Sequence, residues 1–188
     1  MSRLVRSMFA LVGWLALTSC SKPTEIPVII FPSAVASNVP AIYRPLFRAV
    51  LTEVDVKGLR GSLPYDSITI RRTGCFGTCP SYEMTLHRNG RAELNAQAYL
   101  PKLGKFNGEV HLRTYGRLCY MIESSHFSEM NSSYRANWTD DSTCIVTVTS
   151  GATAKVVSDY GKVGPIQLWA IQQLLDAVKE RTEWKPAK

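Results

Sequence analysis

Arg71-Arg72-Thr73-Gly74-Cys75-Phe76-Gly77-Thr78-Cys79-Pro80 is the stretch on which the fold of this chain turns. Before it, Ser67 to Arg72 alternates, with Ile68 and Ile70 on one face. After it, Tyr82, Met84 and Leu86 alternate against Glu83, Thr85 and His87. Period-two alternation marks half-buried strands. The stretch is therefore a connection between two strands, with two cysteines around a glycine and a proline that drives Cys79 toward an extended conformation.

Outward toward the C-terminus, Asn89-Gly90 is a turn pair of the kind that favours two-residue hairpins, and Arg91 to Tyr99 returns as a third strand through Ala92, Leu94 and Ala96. Glu109 to Glu123 reads as a helix, with Leu112, Tyr115, Leu118, Cys119 and Ile122 on one face and Arg113 and Arg117 on the other. Residues 124–142 are polar and irregular, with Phe127, Tyr134 and Trp138 among them. Thr143 to Thr149 and Lys155 to Tyr160 form a hairpin around Ser150-Gly151. Ile166 to Arg181 is the strongest helix, entered through Pro165. Strands, helix, strands and helix without strict βαβ alternation predict the α+β class. The expectation is an antiparallel sheet of about five strands (a three-stranded meander, a helix, a hairpin and a C-terminal helix) with the helices packed on one face.

Outward toward the N-terminus, Leu46, Phe47, Val50, Leu51 and Val54 recur at helical spacing before a loop at Gly58, Gly61 and Pro64. Pro23, Pro27, Pro32 and Pro40 lie in a proline-broken tether. The first residues read as an export leader. Arg3 and Arg6 are a basic start, Met8 to Ala16 is an apolar run too short to span a bilayer, and Leu17-Thr18-Ser19-Cys20 closes it. That tetrapeptide resembles the bacterial lipobox, which implies lipidation of Cys20 and cleavage before it. By resemblance to enterobacterial sorting, Ser21 directs the product to the outer membrane. The expected organisation is a leader over 1–19, a tether over 20–42, a short helix and loop over 43–64 and an α+β domain over 65–185.

Loss of residues 1–19 would bring the formal charge from +7 to +5. With no dense Lys/Arg cluster, a nucleic-acid partner is not expected. The expected location is the bacterial cell envelope, lipid-anchored and facing the periplasm. The expected partners are the membrane, through the lipid on Cys20, and an envelope protein or polysaccharide.

Five cysteines less Cys20 leave Cys75, Cys79, Cys119 and Cys144. In an oxidising compartment an even set reads as disulfides, with three possible connectivities. Cys75 and Cys79 can close a tight loop across Gly77. Cys119 and Cys144 each lie on an apolar face of an element expected in the same layer. The favoured pairing is Cys75–Cys79 with Cys119–Cys144; crossed pairings and free thiols stay open.

The run from Arg72 to Tyr82, followed by Asn89-Gly90, resembles a bacterial domain family of unknown function that shares an R-T-x-C-F-G-x-C-P-x-Y motif, many of whose members are lipoproteins or secreted. The likeness extends over about residues 66–185, with Thr139-Asp140, Tyr160, Pro165 and Trp184 fitting less specifically. It implies no activity.

Three functions are compatible with these residues. The first is a binding or structural module in which a disulfide stiffens the loop and Phe76 and Gly77 form its tip. Arg71, Arg72, Tyr82, Asp140 and Asp141 would then add contacts if the loops lie together. The second is thiol-redox or Cu(I) chemistry at Cys75 and Cys79, whose C-x-x-x-C-P run is similar to the copper-site spacing of the chaperones that assemble cytochrome oxidase. Soft thiolates suit Cu(I), and a nearby arginine lowers a thiol pKa. The strand–helix order departs from that family's thioredoxin-like fold, and His87, His111 and His126 offer no clear counterpart to its distant histidine. The third is hydrolysis around Asp140-Asp141, but no nucleophile elbow, zinc-helix motif or phosphate loop accompanies that pair. The first is favoured, with no cofactor, no resident metal and no catalytic residue expected.

Overall fold

The structure is a computed structural model that describes residues 63–188. The leader, the tether, Cys20 and nearly all of the expected N-terminal helix fall on residues 1–62, outside the described residues.

The described residues begin with four strands in succession: β1 (Ser67–Arg72), β2 (Ser81–His87), β3 (Arg91–Ala98) and β4 (Gly104–Glu109). Helix α1 (Leu112–Ser124) follows, then a 3-10 turn at Phe127–Glu129 and a short β5 (Ser133–Arg135). The hairpin β6 (Thr143–Ser150) and β7 (Thr153–Tyr160) leads into helix α2 (Ile166–Arg181), and the two-residue β8 (Lys185–Pro186) ends the chain. All eight strands join one sheet in the order β5-β7-β6-β1-β2-β3-β4-β8. Only the β5–β7 pair is parallel, so the sheet is mixed.

This corrects the expected α+β arrangement of about five antiparallel strands with helices packed on one face. The described residues form a sheet-rich fold with eight strands, mixed in direction, and two helices. The three strands left out of the expectation have little alternation of their own. β4 is Gly-Lys-Phe-Asn-Gly-Glu, where only Phe106 is buried. β5 has three residues, and β8 contains a proline, which is tolerated only at an edge. Tertiary contact selects these strands. A Cβ on Gly108 would lie 2.7 Å from Thr182 Cγ2 and 3.0 Å from Trp184 Cε3, so a glycine is what lets the C-terminal segment close on β4.

The claim of β4 on Glu109 also moves the start of α1. Its cap is His111, whose Nδ1 accepts from the Arg113 N–H at 3.0 Å. The Asn89-Gly90 connection is likewise longer than a two-residue hairpin. Three residues separate β2 from β3, with Gly90 at φ 90° donating to the His87 carbonyl. A three-residue loop with a left-handed glycine is the next most favourable solution.

Burial alternates along the central strands. Ile68, Ile70, Met84, Leu86, Val146 and Val157 are all but inaccessible, and the same core takes in Tyr115, Leu118 and Ile122 of α1 and Leu168, Ile171 and Leu175 of α2. β1 lies at the centre, paired with β2 on one side and β6 on the other.

The registers sort the connections by end. Arg72 pairs with Tyr82 and with Cys144, Ser81 with Ala98, Ala96 with Gly104, and Tyr160 with both Thr143 and Arg135. The loops 73–80, 99–103, 136–142 and 161–165 therefore open at one end of the sheet. The chain enters at the other end, where the carbonyl of Pro64 accepts from Ser150 Oγ at 2.8 Å, beside the β6–β7 turn.

Candidate functional site: a clamp beneath a disulfide loop

Arg72 and Tyr82 are register partners at the loop-bearing ends of β1 and β2. Both turn inward to one carboxylate, Asp176 on α2. Arg72 holds it in a fork, Nε to Oδ1 at 3.0 Å and Nη2 to Oδ2 at 2.6 Å. The Tyr82 hydroxyl donates to Oδ1 as well. Lys179, one turn further along α2, sets its Nζ 4.5 Å from the centroid of the Tyr82 ring. Paired planar geometry of this kind is the strongest form of ion pair, and it stands largely out of water, at 13% and 22% side-chain exposure. Burial, then the Asp176 charge, drives the Tyr82 hydroxyl well above the ordinary tyrosine range, so it stays a proton donor. The constellation locks α2 to the sheet directly under the loop.

The loop is fixed from the clamp outward. Thr73 exchanges two bonds with Thr143: its N–H donates to the Thr143 carbonyl at 3.0 Å, and its Oγ1 accepts from the Thr143 N–H at 2.9 Å. Cys75 and Cys79 are bonded, with Cα atoms 5.5 Å apart. Gly77 N–H donates to the Cys75 carbonyl at 2.9 Å, a three-residue turn with Phe76 at its apex. Phe76 is 90% exposed. Its N–H donates to the carbonyl of Asp140 at 3.2 Å, tying the disulfide loop to loop 136–142.

In that second loop Asp141 is consumed by turn chemistry. Its Oδ1 accepts from the Ser142 N–H at 2.7 Å and its Oδ2 from Trp138 Nε1 at 3.3 Å; the Ser142 bond is the main reason its carboxyl titrates below the usual range. Asp140 takes a left-handed backbone, φ 69°, and accepts from its neighbour Thr139. Trp138 is half exposed and lies over Gly161, where a Cβ would meet its ring at 3.1 Å.

The structure thus brings Phe76, Gly77 and Asp140 together at the surface, with Asp141 beside them as a framework residue. Arg72 and Tyr82, read from sequence as contact residues, are clamp residues instead. Arg71 is exposed and, next to Arg72 in the strand, alternates to the other face of the sheet. Sequence reasoning missed Asp176 and Trp138. The signal for Asp176 was present: one acid within the apolar run Leu174 to Val178.

The expected Cys119–Cys144 bond is not formed; both thiols are free and buried. Cys144 is the register partner of Arg72 at the loop end of β1. Cys119 lies near Tyr65 and Glu123, beyond the opposite end of β1. The two belong to one core, but seven residues of extended chain separate Tyr65 from Arg72, roughly 20 Å. Sharing a layer fixed their depth and not their position along it.

Among the described residues no group of three or more His, Cys, Asp or Glu side chains is gathered as for a metal ion. In the chain-entropy relation a five-residue disulfide loop contributes about 2 kcal/mol. The Cys75→Ser/Cys79→Ser pair is therefore expected to lower unfolding stability by about that amount in urea titrations. It should also loosen the loop as far as Thr73 and no further, read as faster amide exchange at Phe76 and Gly77 with β1 unchanged.

A family model for a domain of unknown function, DUF6438, matches residues 66–179. The chain belongs to that family. The match takes in both halves of the clamp, the disulfide loop and the Trp138 loop. No curated protein matches the chain.

Proposed function

We propose that this DUF6438 protein is an envelope-anchored binding module, held to the membrane by a lipid on Cys20 and presenting the disulfide-closed loop as its contact surface. The single observation that supports this is Phe76. A large apolar side chain stands 90% exposed on a loop braced by a covalent bond, a backbone bond to Asp140 and the clamp beneath. Exposed aromatics on rigid supports cost little entropy when they bind, which is why they dominate contact surfaces. The lipobox-like Leu17-Thr18-Ser19-Cys20 supports the anchor, and Ser21 the outer membrane as its address. A thiol-redox or Cu(I) role for Cys75 and Cys79 is the alternative. It requires that the bond open in the envelope, and alkylation of envelope-derived protein before denaturation would find both thiols free.

Phe76→Ala tests the module. Stability should change by less than about 0.5 kcal/mol, as for an exposed side chain without partners. Function in the cell, read as loss of the phenotype-complementing activity of the wild-type gene, should fall to the level of the deletion. Full complementation by Phe76→Ala would reject the loop as the contact surface.

A further inference from the structure

The entry of the chain and the disulfide loop are the two ends of a single strand. Leu63 to Asp66 come in at one end of the sheet, β1 crosses it once, and Thr73 opens the loop that carries Phe76 at the other end. Of the four connections at the loop-bearing end, 73–80 alone lies one strand from the entry. Reaching 99–103 takes three strands, and 136–142 and 161–165 lie further on. The loop one strand away is also the one closed by a disulfide and the one whose aromatic stands 90% exposed.

Both ends of that strand are tied down. At the entry, the Asp66 N–H donates to the Thr149 carbonyl at 2.8 Å and the Asp66 carbonyl accepts from the Arg88 N–H at 2.9 Å, so the chain is held from both flanks. Asp66 Oδ2 accepts from the Gly151 N–H at 2.6 Å, and its Oδ1 stands 3.3 Å from Arg88 Nη2. The Tyr115 hydroxyl donates to the Tyr65 carbonyl at 3.2 Å, which adds α1 to the hold. Along its length β1 is paired residue for residue with β2 and with β6. At the far end Arg72 is gripped by Asp176 and Thr73 by Thr143. Hydrogen bonds between antiparallel strands run perpendicular to the strands. Tension applied along β1, from one end to the other, therefore passes through its backbone and does not load those bonds. A strand rising ~3.3 Å per residue is already close to the covalent limit of ~3.3–3.6 Å, so it has almost no slack to give.

We infer that β1 is a load-bearing link: a pull between the membrane anchor and a partner held at Phe76 passes through this one extended strand, and the domain keeps its fold under that pull. This rests on the anchor and the contact surface proposed above, and adds the mechanical function that connects them.

Single-molecule force spectroscopy on the full chain tests this without any partner. One handle is attached through an azido amino acid at position 21, the other through the same group at position 76, 99 or 188. Phe76 and Tyr99 are exposed, at 90% and 59%, so handles there leave the core intact. Pulling 21 against 188 should unfold the whole domain, a length gain of roughly 400 Å. Tyr99 stands at the same end of the sheet as Phe76 but three strands from the entry. Pulling 21 against 99 should therefore tear β1, β2 and β3 apart, a gain on the order of 100 Å. Pulling 21 against 76 should draw less than about 30 Å from residues 63–76, since only the short segments on either side of β1 can straighten. Extension of residues 21–62 is common to all three pairs and cancels in the comparison. A step of about 100 Å or more from the 21–76 pair, at the force that opens the 21–99 pair, overturns the inference and leaves the contact reading standing. A short 21–76 gain in a protein whose position 76 captures no partner in the envelope overturns it from the other side, because the strand would then have nothing to pull against.

Discussion

Asp176→Ala is expected to destabilise the domain by about 3–5 kcal/mol, the cost of removing one partner from a largely buried ion pair. The substitution leaves the Arg72 guanidinium at 13% exposure with no carboxylate and strips the Tyr82 hydroxyl of its acceptor. For a domain of this size the loss corresponds to a fall in melting temperature on the order of 10–15 °C. The attraction itself is not the main source of that cost. Most of it comes from the buried charge left behind, so a double replacement, Arg72→Leu with Asp176→Leu, should recover a large part of the stability. Glu180→Ala, on an exposed carboxylate of the same helix, should cost less than about 0.5 kcal/mol. Urea titration of the four proteins decides the matter. A cost below about 1 kcal/mol for Asp176→Ala would mean that the fork adds nothing beyond a surface pair.

The second large effect is alkaline. Burial pushes the thiols of Cys119 and Cys144 up to about 12, with Arg72 only partly opposing this at Cys144. In the unfolded chain a thiol titrates near about 8.5. Below that value neither state ionises and folding is unaffected. Above it the unfolded chain releases protons that the folded chain retains. Stability then falls by about 1.4 kcal/mol per pH unit for each thiol, until the folded state also ionises. Tyr65, Tyr82 and Tyr115, all raised mainly by burial, add to the loss once the pH passes the ordinary tyrosine range. Stability measured at about pH 7, 9 and 10.5 should be flat and then steep, and Cys119→Ala or Cys144→Ala should each make the steep limb shallower. Equal slopes in wild type and both variants would show that the thiols do not carry the effect. At neutral pH the same burial predicts that thiol reagents modify Cys119 and Cys144 only after unfolding, which peptide mapping will read.

What was legible in the sequence was whatever declares itself locally. Ile68/Ile70, Tyr82/Met84/Leu86 and Val146/Val148 alternate, and each is a central strand. The apolar spacing from Leu168 to Val178 is α2. β4, β5 and β8 were not legible, because their residues are chosen by what lies beside them: Gly108 by Thr182 and Trp184, and Pro186 by an edge. The same division holds at the site. Cys75 to Cys79 is a local closure and could be read. Cys119 and Cys144 needed a coordinate along the strand that periodicity does not contain. Arg72 and Tyr82 stood out as unusual residues in a strand-to-strand corner, but their partner Asp176 is about a hundred residues away in sequence, and only the fold shows that the arginine is spent on it.

Photo-crosslinking in intact cells decides whether the disulfide loop is a contact surface. A benzophenone amino acid at position 76 should give a discrete adduct that disappears when Cys75 and Cys79 are both serine. The same probe in place of Tyr120, on the exposed side of α1, should give none. An equal adduct pattern from both positions, or no adduct at 76 in folded and correctly localised protein, would show that the loop is not a contact surface.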